Sequence, residues 1–137
     1  MRLVLDTNVL VSGLLTPHGP PGRILDLVLA GKVRLLIDDR IMDEYREVLL
    51  RPRFGFDPAA VATLLTFLTT ESEWVSAPAR GVRLTDPGDQ PFAEVAIAGG
   101  ADYLVTGNPR HFPASRLPPS LRVSAPVAFM AAIARRD

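Results

Sequence analysis

Apolar residues along this chain fall into blocks of two kinds, and the two kinds alternate. Short blocks rich in Leu, Val and Ile or holding an aromatic residue lie at 2–6 (RLVLD), 33–37 (VRLLI), 73–76 (EWVS), 102–106 (DYLVT) and 121–124 (LRVS), and read as strands. Longer segments between them, 9–15, 23–31, 38–50, 59–68, 90–99 and 126–136, carry helical patterns. The Pro- and Gly-rich stretch TPHGPPG at 16–22 reads as a loop. Asp38 is suited to cap the helix of 38–50, and Asp57 followed by Pro58 repeats that signal ahead of 59–68. Strands separated by helices, with apolar strand centres, predict an α/β fold: a parallel sheet flanked by helices on both faces, three layers in all. In such folds ligands gather at the carboxyl ends of the strands.

Composition narrows this picture. A chain of 137 residues, 47% hydrophobic, has the size and apolar content of one folded domain, expected over 1–137. No apolar run approaches the roughly 20 residues that span a bilayer, and the first residues lack the pattern of an export leader, so a cytoplasmic location is expected. The absence of cysteine excludes disulfides and thiolate metal sites. Fifteen basic and fifteen acidic residues balance, so the overall charge neither draws the chain to phosphate nor repels it. Lys32 is the sole lysine.

The acidic residues then acquire meaning from position. The first strand ends on Asp6, followed by Thr7 and Asn8, where a carboxylate at a buried tip needs partners or a cation. On the wheel of residues 40–50, Ile41, Met42, Tyr45, Val48 and Leu49 make the apolar face. Glu44 sits at its margin, within reach of Arg40, while Asp43 and Glu47 point away. The loop TDPGDQPF (85–92) carries Asp86 and Asp89, the latter placed as an N-cap, and Glu94 falls on the expected polar side of the next helix. The strand 102–106 ends on Thr106, Gly107 and Asn108, resembling the ending of the first strand; Asp102 lies at its other end. His18 and His111 fall in loops and receive no role.

Carboxylates converging on one edge with no lysine nearby would repel one another, and a divalent cation resolves that conflict. Hard oxygen donors favour Mg²⁺ or Mn²⁺, and such a site suits phosphodiester hydrolysis.

These motifs carry a resemblance. LVLDTNVLVSGL (3–14), DEYREVLLRPRF (43–54) and DPGDQPFAEVAIAGGADYLVTGN (86–108) resemble the motifs of PIN-domain ribonucleases, in particular the stand-alone prokaryotic proteins grouped with VapC-type toxins. The resemblance implies a Mg²⁺- or Mn²⁺-dependent endoribonuclease acting on RNA, a homodimer, and an antitoxin partner that blocks the site. It assigns catalysis and metal binding to Asp6, Glu44 and Asp89, with Asp86 and Asn108 assisting, and support to Thr7, Asn8 and Thr106. Arg51, Arg53 and Arg110 are the candidate RNA-phosphate contacts. Asn108 stands where many family members carry aspartate, which removes one negative charge. The alternative within the same resemblance is a catalytically decayed scaffold that binds RNA or protein. Aspartate-dependent phosphatases and receiver domains also place an aspartate at a strand tip. They require a late lysine, and this chain has only Lys32 before the second strand.

Overall fold

Strand β1 (Arg2–Leu5) is the middle strand of a five-stranded sheet, and its Leu3, Val4 and Leu5 are buried. The computed structural model describes residues 1–77 and 82–136. The other strands are β2 (Arg34–Ile37), β3 (Glu73–Trp74), β4 (Tyr103–Val105) and β5 (Arg122–Ser124). Their order is β3-β2-β1-β4-β5, and every pairing is parallel, as the buried apolar strands require. Helices α1 (Thr7–Leu15), α2 (Pro20–Leu29), α3 (Asp39–Leu49), α4 (Pro58–Glu71), α5 (Gln90–Ala98) and α6 (Pro126–Arg136) complete a three-layer α/β/α arrangement. Tyr45, Phe92, Phe112 and Phe129 are the largest fully buried side chains. Among the described residues no helix is long and apolar enough to cross a membrane.

The topology decides where chemistry can sit. The chain builds outward from β1 through β2 to β3, then crosses back to lay β4 and β5 on the other side. The order therefore reverses between β1 and β4, whose carboxyl ends diverge into different connections and leave a crevice. Leu5 pairs with Val105, and the Asp6 N–H donates to the Val105 carbonyl at 2.9 Å. Asp6 and Thr106 are thus the first residues beyond the paired strands at that crevice.

Several element limits differ from the sequence expectation, each for a local reason. Helix α1 begins at Thr7 rather than Val9, because Asp6 is its N-cap and accepts from the Thr7 N–H at 2.8 Å. Helix α2 begins at Pro20, inside the segment read as loop, since prolines at the first helical positions cost no hydrogen bond. Its first turn depends on Gly22, where a Cβ would stand 2.1 Å from the Pro17 carbonyl oxygen. Helix α4 runs three residues past Leu68, and β3 is only two residues long. The N-caps on Asp38 and Asp57 form as expected, accepting from Ile41 and Ala59 N–H groups at 3.0 Å each.

Candidate metal centre at the carboxyl edge of the sheet

Asp6 is only 7% exposed, and both oxygens of its carboxylate accept hydrogen bonds. Oδ1 accepts from the Thr7 N–H, while Oδ2 accepts from the Thr106 hydroxyl at 2.8 Å and from Asn8 Nδ2 at 3.3 Å. Asn8 in turn accepts from the Gly107 N–H at 3.0 Å, and Thr106 Oγ1 accepts from the Asn108 N–H at 3.0 Å. The two strand endings, Asp6-Thr7-Asn8 and Thr106-Gly107-Asn108, are therefore one hydrogen-bonded unit. Asn108 enters it through its backbone; its side chain is exposed.

Glu44 arrives from α3. The register of that helix is set by Tyr45, whose buried hydroxyl donates to the Leu5 carbonyl at 2.6 Å, one residue before Asp6. Glu44 is half-buried, and the Thr7 hydroxyl donates to its Oε2. Arg40 does not pair with Glu44, contrary to the sequence reading. It bridges Asp38 at 2.8 Å and Glu94 at 2.6 Å. Glu94 is likewise not a solvated residue: it is 7% exposed and faces the packed side of α5. Its other oxygen accepts from Gln90 Nε2 at 3.2 Å, and Gln90 clamps the incoming chain through the Val82 carbonyl and the Leu84 N–H. Helical spacing placed Glu94 on the wrong side because Phe92 through Ala96 are all buried, so α5 has no simple polar stripe there.

Asp86 and Asp89 bracket a 3₁₀ turn, Pro87–Asp89. Asp86 is exposed and caps the turn by accepting from the Gly88 N–H at 2.8 Å. Asp89 occupies the cap position of α5 without using its carboxylate as a cap, which corrects the expectation. That carboxylate is buried and meets His111 Nδ1 at 3.1 Å instead. Ligand atoms of Asp86, Asp89 and His111 lie within 4.8 Å of one another. His111, passed over in the sequence as a loop residue, ends the turn Pro109–His111 that follows Asn108. Its position three residues after the last motif was the signal available.

Burial raises the pKa of Asp6, partly offset by the Thr106 hydrogen bond and reinforced by Asp89. Burial likewise raises Glu44, with the Thr7 hydroxyl opposing and Asp6 adding. Asp89 is raised first by burial, then by Asp86, and Glu44 adds to it while His111 opposes. The three carboxylates from β1, α3 and the α5 entry therefore feel one another's charge. Among the described residues no arginine or lysine forms an ion pair with Asp6, Glu44, Asp86 or Asp89. Clustered carboxylates without a paired cation are the donor set that a hard divalent ion fits. Of the three arginines, Arg51 pairs with Glu47 at 3.0 Å, Arg53 lies 4.8 Å from the Phe54 ring centre, and Arg110 is exposed beside His111.

Comparison with known proteins bears on the family and the fold. A family model described as PIN domain matches residues 2–110, a span that holds every acid of the cluster. An uncharacterized protein of Methanocaldococcus jannaschii is 28% identical over 111 residues, covering 79% of this chain and 71% of its own. A chain of the VapBC2 crystal structure from Rickettsia felis, bound to a DNA fragment from its promoter, superposes with a TM-score of 0.59. It is 20% identical, and the match covers 91% of this chain and 98% of that one. At that identity the likeness is one of fold.

Proposed function

Since the chain belongs to the PIN-domain family, we propose that it is a single-domain nuclease, a Mg²⁺- or Mn²⁺-dependent endoribonuclease that hydrolyses RNA phosphodiesters. The observation that carries this reading is that Thr7 hydrogen-bonds both Asp6 and Glu44 at the strand edge, and that Asp89, grouped with Asp86, raises the Asp6 pKa, with no lysine or arginine among the described residues paired to any of them. In this reading Asp6, Glu44 and Asp89 hold the cation, and Asp86 and Asn108 assist. When bound, the cation would make a coordinated water more acidic and offset charge on the leaving oxygen. The chain's own contribution is orientation. Thr106 and the Thr7 N–H fix both oxygens of Asp6, and the Thr7 hydroxyl fixes Glu44. Asn8 ties the two strand endings together through Asp6 and Gly107. Arg110, exposed in the turn after β4, and Arg51 and Arg53, at the 3₁₀ turn that follows α3, are assigned to the RNA backbone.

The partners follow at a further remove. The family resemblance and the likeness to VapBC2 support a toxin of a toxin–antitoxin pair; the homodimer and silencing by the antitoxin rest on the family resemblance alone. Growth arrest on expression, relieved by co-expression of a neighbouring gene's product, is the corresponding test.

The nuclease reading is tested by Mn²⁺ titration calorimetry and by cleavage of single-stranded RNA, on the wild type and Asp6→Asn, with folding followed by circular dichroism. The wild type is expected to bind Mn²⁺ and cleave. The folded variant should lose binding and at least about 100-fold of the cleavage rate, since the metal-assisted step contributes several kcal/mol. An Asp6→Asn protein that still cleaves at the wild-type rate would sink the assignment. A wild type that binds no Mn²⁺ would leave the decayed scaffold as the better reading.

A further inference from the structure

We propose that His111 is itself a ligand of the divalent cation, beside Asp86 and Asp89, and that its imidazole biases the site toward Mn²⁺ over Mg²⁺. The proposal rests on the nuclease reading above and assigns to that site a nitrogen donor, which the acid motifs do not supply.

The argument begins with how the loop after β4 is held. The Asn108 carbonyl accepts from the His111 N–H at 3.0 Å, closing the turn Pro109–His111. Phe112, the next residue, is 1% exposed and anchors the end of that turn in the core. The turn's start is tied to the site by the Asn108 N–H, which donates to Thr106 Oγ1, itself a donor to Asp6. The imidazole is thereby carried back over the carboxyl edge, with Nδ1 at 3.1 Å from Asp89 Oδ2.

The spacing suits a shared ion. In an octahedron with bonds of about 2.1 Å, neighbouring donors stand about 3.0 Å apart and opposite donors about 4.2 Å. The 3.1 Å contact matches a neighbouring pair, and all three donors lie within 4.8 Å of one another, with Asp86 and His111 exposed and so free to adjust on binding an ion. Asn108 brings no charge, and the imidazole three residues later adds a nitrogen donor beside Asp89. Chemistry then sets the preference. Mg²⁺ takes hard oxygen ligands, whereas first-row transition ions, Mn²⁺ among them, accept mixed nitrogen and oxygen sets.

The test uses untagged protein and Mn²⁺ alone as probe. The chain has only two histidines, His18 and His111, and His18 is exposed in the loop before α2. Pulsed electron paramagnetic resonance on Mn²⁺-loaded wild type is expected to detect directly coordinated ¹⁴N. That coupling should persist in His18→Gln and disappear in His111→Gln. Calorimetry should find the ratio of Mn²⁺ to Mg²⁺ affinity reduced about tenfold or more in His111→Gln. Labelling the wild type with [¹⁵N]histidine changes the coupling without any substitution, so the test survives a variant that fails to fold. Bound Mn²⁺ with no nitrogen coupling, or coupling retained in folded His111→Gln, overturns this inference and leaves the all-oxygen nuclease site standing. A wild type that binds no Mn²⁺ overturns both.

Discussion

Asp89 holds a carboxylate that folding makes harder to ionise, through burial and then through Asp86 and Glu44. Asp6 and Glu44 are shifted the same way. A carboxylic acid with a raised native pKa favours the folded state when protonated and opposes it once ionised. The metal-free protein therefore loses this contribution as the pH rises from the ordinary carboxylate range, near 4, through the raised native values. Asp89→Asn removes one of the repelling charges while keeping an oxygen for His111. In metal-free buffer at pH 7 we expect it to melt about 2–5 °C higher than the wild type, the equivalent of roughly 1 kcal/mol. Its stability should also vary less between pH 4 and 7, and it should neither bind Mn²⁺ nor cleave RNA. Thermal melts across that pH range check the sign; a lower melting temperature at pH 7 would mean that the carboxylate is not under strain.

At the scale of elements, the cluster depends on how α3 and α5 are locked together. Arg40 at the start of α3 reaches Glu94 on α5, and Gln90 ties that carboxylate to the chain entering Asp86 and Asp89. This chain of contacts holds the helix carrying Glu44 against the turn carrying Asp89. Glu94→Ala leaves Arg40, which is partly exposed, able to rehydrate, but deprives the Gln90 amide of a buried partner. The expected cost is about 1–2 kcal/mol by urea denaturation, with Glu94→Gln retaining part of it. Mn²⁺ affinity should fall in the alanine variant although Glu94 touches no ligand atom, because the two halves of the site lose their common brace.

For the whole molecule, a parallel sheet whose order reverses between β1 and β4 collects polar strand ends at one crevice. Folding brings the carboxylates near enough to raise one another's pKa, and on the nuclease reading a bound ion would relieve that repulsion. Saturating Mn²⁺ is thus expected to stabilise the native state by about 2.7 kcal/mol at 100 times its Kd, with a melting temperature that climbs with Mn²⁺ concentration. Asp6→Asn, tested in the same titration, should show almost no rise. Equal rises in both proteins would place the ion elsewhere.

The strands, helices and most caps were legible in the sequence because they depend on local matters: runs of buried aliphatics, helical spacing, and aspartate before a helix. The alternation of those elements also determined the parallel α/β architecture. The limits of α1 and α2 were less legible, since Asp6 serves at once as cap and as a member of the cluster, and two prolines open a helix where they read as a loop. Only the tertiary structure decided which charges meet. Arg40 chose Glu94, fifty-four residues away, over Glu44 on its own helix, and Asp89 turned from capping α5 to His111. Those partners are set by how helices pack across the sheet edge. Long-range electrostatics and burial there outweigh the few tenths of a kcal/mol available from neighbours along a helix.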